Sequence, residues 1–192
     1  WGESVVLGLS QNESAITTSF DGSEILVFGA VKREVPVPDG PELEVIITVA
    51  GPSVPVMVRR KDKRLGIWVN TDAVEVDRAP SFYAVAASGA LNEVLNEVED
   101  LRYKISIPHA IRSVGAPMSI IDAASFTEAL IRIRSKENLY QLMENHIAVD
   151  DQTLFRGRIE LPAALTEGDY ETRIFLTRNG KVISSYETSI DV

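Results

Sequence analysis

The fold is decided near the carboxyl terminus, where residues 165–190 read LTEGDYETRIFLTRNGKVISSYETSI. Asn179-Gly180 stands between two alternating stretches, and this dipeptide is the strongest two-residue signal for a β-hairpin. Tyr170 follows Gly168 at the start of the first stretch, as a tyrosine corner does at the start of strand F in immunoglobulin-like domains. The segment therefore predicts the last two strands of an antiparallel β-sandwich, with structural roles for Gly168, Tyr170, Asn179 and Gly180.

Working outward, the first ninety or so residues also have a β pattern. Residues 25–31 and 82–87 are apolar on both alternating faces, which indicates strands that are covered on two sides, and residues 43–49 are a strong strand rich in β-branched residues. In the nomenclature of the immunoglobulin fold, strands B, C, C′ and E are expected at residues 24–33, 43–50, 54–60 and 153–160.

Between residues 90 and 146 the apolar spacing changes from two to three and four, which predicts helices. We expect one amphipathic helix over 90–104, a short helix capped by Ser106, a long helix after the N-cap Asp122, and a further short helix ending near Asn145. The first and the long helix would bury Leu91, Val94, Leu95, Val98, Leu101, Phe126, Ala129, Leu130 and Ile133.

These elements predict a mainly β (α+β overall) chain that forms one composite domain over residues 1–192. Residues 1–60 and 151–192 would form an immunoglobulin-like antiparallel β-sandwich. Residues 61–150 would be a long insertion, β first and then helical over about 90–146, whose apolar stripes cover the two-sided strands. The alternative is two domains split near residue 90, although a three-strand remnant would be hard to stabilise alone.

Composition excludes several functional classes. The chain has 192 residues, no cysteine and two histidines, so thiol nucleophiles, disulfides and cysteine metal sites are excluded and a histidine-rich metal site is disfavoured. A formal net charge of −9 argues against nucleic-acid binding. The sequence lacks a nucleophile elbow, a phosphate-binding loop and a zinc-protease motif. We therefore expect neither enzymatic activity nor a cofactor, and a small-molecule ligand is disfavoured.

One dense cluster of charge remains as a candidate contact. It consists of the cations Arg59, Arg60, Lys61, Lys63 and Arg64. It is either a solvated β-turn tip or a contact for an anion, anionic lipid head groups or an acidic partner. Trp68 follows closely and shares a strand face with Gly66 and Asn70. It either packs under the helical insertion or anchors a partner, as exposed tryptophan does at interaction hot spots.

Several short blocks resemble one family in their order along the chain. They are residues 66–70 (GIWVN), 80–85 (PSFYAV), 111–115 (IRSVG), 154–156 (LFR), 161–163 (LPA) and 168–170 (GDY). The chain thereby resembles a family of predicted transmembrane proteins of unknown function from alphaproteobacteria. The resemblance implies an export signal, an extracytoplasmic domain and one C-terminal transmembrane helix, and it brings no catalytic residues. Some members are similar in gene context to neighbours of sulfite-exporter-like membrane proteins, which suggests an exporter-like partner.

The resemblance and the composition together lead to two functional hypotheses. The first is a non-enzymatic domain on the periplasmic side of the bacterial inner membrane, anchored by one helix after Val192, that acts as an accessory or assembly subunit of an integral membrane protein. The second is a small-anion-binding or sensor domain. A deep cleft lined by Arg112, Arg132 or Arg134 would favour the second hypothesis. A flat apolar patch would favour the first.

Overall fold

The described strands form two five-stranded sheets and a two-stranded ribbon in the computed structural model of the chain. The structure describes the backbone of residues 3–7, 14–20, 22–31, 40–64, 67–112 and 123–192, and the side chains of residues 16–20, 22–31, 40–54, 79–111 and 127–192. In chain order the elements are β1 (Glu3–Leu7), β2 (Ser14–Phe20), β3 (Glu24–Val31), β4 (Leu43–Ala50), β5 (Ser53–Arg64), β6 (Ile67–Pro80), β7 (Tyr83–Ala87), α1 (Leu91–Val94), α2 (Glu97–Tyr103), α3 (Ile107–Arg112), α4 (Ala123–Lys136), β8 (Tyr140–Met143), β9 (Ile147–Asp150), β10 (Leu154–Glu160), β11 (Asp169–Arg178) and β12 (Lys181–Asp191).

The two sheets pack face to face as a sandwich. The first sheet has the order β1-β2-β3-β10-β9 and the second has the order β12-β11-β4-β7-β8. All pairs within them are antiparallel except β7 with β8, which is parallel. Alternate apolar residues from both sheets fill the space between them, among them Ile25, Val27, Ile47, Ile159 and Ile174. Each such side chain contributes about 1.5–3 kcal/mol when buried, before entropy is subtracted.

A helical layer covers the outer face of the second sheet. Ile46, Val85 and Phe175 point outward from β4, β7 and β11 and are buried against Leu95 and Ile111 of the helical segment. The predicted two-sided burial of residues 82–87 is thereby confirmed, and residues 43–49 form the predicted strand. The prediction of two-sided burial is wrong for residues 25–31, because none of the described helices covers the first sheet at β3 and Phe28 is 47% exposed.

The predicted helix over 90–104 is broken in two. Leu95 has extended backbone angles, and the Asn96 side chain accepts a hydrogen bond of 2.8 Å from the Glu99 amide, which makes Asn96 the N-cap of α2. Asparagine competes for backbone donors in this way and therefore starts helices better than it continues them. The break changes the buried face, so Val98 and Leu101 are 74% and 63% exposed, contrary to prediction.

Two other helical predictions need correction. The segment ending near Asn145 is not a helix but contains β8, which pairs with β7 in the register Tyr83↔Tyr140. A short apolar run cannot be assigned to helix or strand by its spacing alone. In α4, Leu130 is buried as predicted, whereas Ile133 is 49% exposed. Asp122 and the Phe126 side chain lie outside the described residues.

Candidate functional site

A continuous antiparallel ribbon extends out of the second sheet. The Gly51 amide donates to the Phe82 carbonyl at 2.7 Å, and the Ser81 amide donates to the Pro52 carbonyl at 2.9 Å. These bonds carry the pairing of β4 with β7 onward into the pairing of β5 with β6, without a change of register at the junction. Among the described strands, β5 and β6 pair only with each other. We call this two-stranded part, Ser53–Pro80, the arm; its 12-residue strand β5 spans about 40 Å.

The predicted contact residues lie at the far end of the arm. The basic run ends β5, and the register places Trp68 opposite Lys63 and Ile67 opposite Arg64. Two register shifts, at Val54/Val56 and Arg60/Lys61, add local twist to the ribbon. The side chains of residues 55–78 lie outside the described ones, so the packing of Trp68 under the helical layer stays a prediction.

Helix α4 and strand β8 hold the root of the arm. The Arg134 guanidinium donates to the Pro80 carbonyl at 2.6 Å, and the Tyr140 hydroxyl donates to the same oxygen at 2.7 Å. The guanidinium carbon of Arg134 also lies 5.5 Å from the centre of the Tyr140 ring. These contacts connect the last residue of β6 to the helical layer and to the second sheet. Arg134 thus makes a structural contact at the root of the arm.

On the other strand at the root of the arm, Gly51 packs closely against the ring of Tyr170. A Cβ atom at Gly51 would lie 3.1 Å from Cε1 of Tyr170 and 2.8 Å from Oγ of Ser81, so only glycine fits there without displacement. The Tyr170 hydroxyl donates to the Thr166 carbonyl at 2.8 Å, which confirms the predicted tyrosine corner. Gly168 has a φ of +141°, and a Cβ there would lie 2.9 Å from Cγ of Pro52.

The hairpin at Asn179-Gly180 is confirmed. The two residues have φ values of +54° and +75°, the left-handed pair that a type I′ turn requires. Arg178 pairs with Lys181 across the turn, and the ladder continues to Asp169 opposite Asp191 with one register shift after Leu176. This turn fixes β12 beside β11 at the edge of the second sheet.

The outer side of the first sheet is a second candidate surface, which the sequence analysis did not predict. The register places Phe28 between Thr17 and Arg156, and Leu154 between Ala30 and Asp150. Phe28 is 47% and Leu154 is 53% exposed, and a shallow depression of about 420 Å³ lies between them. We call this surface the open face; its central residues are Leu26, Phe28, Ala30, Ala148, Leu154 and Arg156.

The open face has one arginine among its central residues, Arg156, and a second one, Arg158, at its border. Arg158 forms an ion pair with Glu24, with 3.0 Å between Nε and Oε2. Arg156 is exposed and has no carboxylate partner among the residues that the structure describes. The sequence signal for this surface was the apolar outer side of residues 25–31. An apolar outer side indicates that another element covers the strand, but the sequence does not reveal which sheet the helices cover.

An arginine on the opposite sheet holds the helical layer in place. The Arg173 guanidinium donates to the carbonyl of Tyr103 at 2.7 Å, to that of Lys104 at 3.0 Å and to the Tyr83 hydroxyl at 3.1 Å. The Tyr83 hydroxyl in turn donates to the Ile105 carbonyl at 2.5 Å. This polar network crosslinks β11, β7 and the end of α2.

Three of these tyrosines give a prediction for alkaline pH. Burial raises the pKa of Tyr83, Tyr140 and Tyr170 above the ordinary value of 10.0, although nearby arginines partly offset the rise for Tyr83 and Tyr140. Above pH 10 the unfolded chain therefore loses phenol protons that the folded chain keeps, and the free energy of unfolding falls with pH. Urea midpoints measured on both sides of pH 10 should show this fall. Tyr140→Phe should make it shallower, and an unchanged slope would contradict the argument.

The described residues contain little that indicates chemistry. Among them, no group of three or more His, Asp or Glu side chains is arranged to hold a metal ion. Four open depressions of about 330 to 620 Å³ are formed by described residues, and neither Arg132 nor Arg134 lines any of them. The Arg112 side chain lies outside the described ones. In the described part of the chain, no helix has the length and apolar character needed to cross a membrane.

Comparison with known proteins gives one match. A family model described as "Putative transmembrane protein (Alph_Pro_TM)" matches residues 4–192, which is nearly the whole chain. No curated protein and no solved structure matches the chain.

Proposed function

Because the chain belongs to the Alph_Pro_TM family of putative transmembrane proteins, we propose that it is the non-enzymatic extracytoplasmic domain of a membrane-anchored protein. In this proposal a single transmembrane helix anchors the full-length protein, and the domain lies on the periplasmic side of the bacterial inner membrane. The domain acts there as an accessory or assembly subunit of an integral membrane protein, for which an exporter-like protein is a candidate. Family membership is the support for membrane attachment.

The open face is the observation that carries the accessory role. Helices cover the outer side of the second sheet, whereas the first sheet exposes Phe28 and Leu154 side by side. Contiguous exposed apolar surface marks protein contact sites, and these two residues line one depression. Arg156 beside them lacks a described carboxylate partner. The partner surface that fits is therefore apolar with a carboxylate at its edge, on the extracytoplasmic part of an integral membrane protein.

We also propose that the sandwich is immunoglobulin-like. The order β12-β11-β4-β7 corresponds to strands G-F-C-C′, and β2-β3-β10-β9 corresponds to A-B-E-D. In this assignment strand C′ is β7, and the segment 54–60 that was expected to be C′ lies in the arm instead. The tyrosine corner at the start of β11 supports the same assignment. Immunoglobulin-like domains serve many binding functions, so this assignment is compatible with an accessory role but does not select it.

The small-anion alternative has less support. Arg134 donates to the Pro80 carbonyl, and Arg132 is exposed and lines none of the four described depressions. A ligand site would instead need buried polar groups that converge on a cavity.

Site-specific photo-crosslinking in native membranes tests the proposal. A photoreactive residue at Phe28 or Leu154 of the full-length protein should give an adduct with one integral membrane protein. The same residue at Ile183, which is 50% exposed on β12, should not give it. Ala148→Glu on the open face should weaken the adduct about tenfold or more, as expected for a change near a hot spot. Equal crosslinking from Ile183, or none from either position of the open face, would overturn the role of this surface.

A further inference from the structure

We propose that the tip of the arm, residues 59–64 with 67–69, binds the head groups of an anionic lipid bilayer. This rests on one part of the proposed function, that the domain sits beside a membrane, and it does not depend on the protein partner. The inference comes from three features of the arm: its charge distribution, the residues that its register brings together, and its length.

Charge along the arm is uneven. The far part, residues 59–64 and 67–73, contains five cations and two carboxylates, Asp62 and Asp72. The near part, residues 53–58 and 74–80, contains Glu75, Asp77 and one cation, Arg78. The whole chain has a formal charge of −9, so this far part is strongly positive relative to the rest. Clusters of basic residues of this kind are attracted to anionic lipid head groups.

The register places apolar and aromatic positions among these cations. Lys63 is opposite Trp68, Arg64 is opposite Ile67, and Asp62 is opposite Val69. Tryptophan is enriched at the interface between membrane and water, where its ring sits at the level of the head groups. An acidic protein would also attract the cations. The combination of tryptophan and isoleucine with lysine and arginine at one hairpin end favours a lipid surface.

The length of the arm bears on the repulsion expected between an acidic chain and an anionic bilayer. A protein of charge −9 is repelled by an anionic surface, but the Debye length at physiological salt is only about 8 Å. The arm spans about 40 Å, several Debye lengths, so the charges of the sheets at its root are screened at its tip. The root contacts of Pro80 with Arg134 and Tyr140 fix where the arm leaves the sandwich.

The test uses the purified 192-residue chain and two kinds of vesicle, phosphatidylcholine alone and phosphatidylcholine with phosphatidylglycerol. The chain should float only with the anionic vesicles and should be released by high salt. Trp1→Phe leaves Trp68 as the single tryptophan, and its emission should shift to the blue on binding. Replacing Arg59, Arg60 and Lys61 by glutamine should lower the partition coefficient by about 100-fold, at roughly fivefold per charge.

A matched control removes three exposed cations on elements other than α4 and the arm, Arg102, Lys104 and Lys181, again to glutamine. It should retain the wild-type partition coefficient, and an equal loss would overturn a specific role of the tip. Glutamine variants of the tip that stay soluble and bind anionic vesicles as the wild type does would also overturn it. Binding to polyglutamate but not to anionic vesicles would assign the tip to an acidic protein. Trp68→Ser provides a second variant that keeps every charge and should also bind less. None of these vesicle results depends on crosslinking from the open face.

Discussion

Replacing Tyr170 by alanine is expected to lower the free energy of unfolding by about 3–5 kcal/mol. Replacing it by phenylalanine is expected to cost about 1–2 kcal/mol. The side chain is fully buried, and its ring lies 6.1 Å from that of Phe82. Alanine would leave a cavity under Gly51 at the root of the arm, whereas phenylalanine removes only the hydrogen bond to the Thr166 carbonyl. The difference between the two variants separates packing from hydrogen bonding.

Urea denaturation at neutral pH measures both Tyr170 variants. Tyr103→Phe is a matched control, because Tyr103 is half-buried and its hydroxyl has no partner in the described part of the chain. It should change stability by less than about 0.5 kcal/mol. A Tyr170→Phe protein as stable as the wild type would show that the hydroxyl contributes nothing net, and the structural role of the corner would then lie in the ring alone.

The local features of this fold could be predicted because their chemistry is local. A type I′ turn needs two residues that tolerate positive φ, and Asn179-Gly180 supplies them within the turn itself. The tyrosine corner likewise joins Tyr170 to Thr166, only four residues away. The core strand β7 could be predicted because burial on both sides leaves no polar face in the sequence, and β4 because it is rich in β-branched residues.

The features that failed depend on distant contacts. An apolar outer face looks the same in β3 and β7, yet the described helices cover only β7. Likewise, Leu142 and Met143 belong to a strand because β7 offers a free edge that the local sequence does not reveal. The open face therefore had a visible sequence signal with the wrong interpretation. The two alternating strands of the arm could be predicted from the sequence, but the point at which they leave the second sheet could not.

The second large effect is expected at Arg173. Arg173→Met should lower the free energy of unfolding by about 2–4 kcal/mol, since hydrogen bonds to charged groups are worth about 1.5–3 kcal/mol and this site is only partly buried. The guanidinium satisfies the carbonyls of Tyr103 and Lys104, at the point where α2 ends with Lys104 in the left-handed conformation. The Arg173 Nε also donates a hydrogen bond of 3.0 Å to Oγ1 of Thr48. Methionine keeps the apolar stem but leaves these acceptors without a donor.

Urea denaturation together with amide hydrogen exchange distinguishes a local from a global effect. Because the guanidinium bonds join β11 to the end of α2, exchange in residues 97–106 should accelerate more than exchange in β4. Arg173→Lys should recover only part of the loss, because an ammonium group cannot reproduce the planar fork of donors. Arg102→Met on α2 is the control. The Arg102 side chain is 70% exposed, and its replacement should change the free energy of unfolding by less than about 0.5 kcal/mol. Unchanged exchange in α2 of Arg173→Met would show that the apolar contacts of Leu95 and Ile105 hold the helical layer without the polar network.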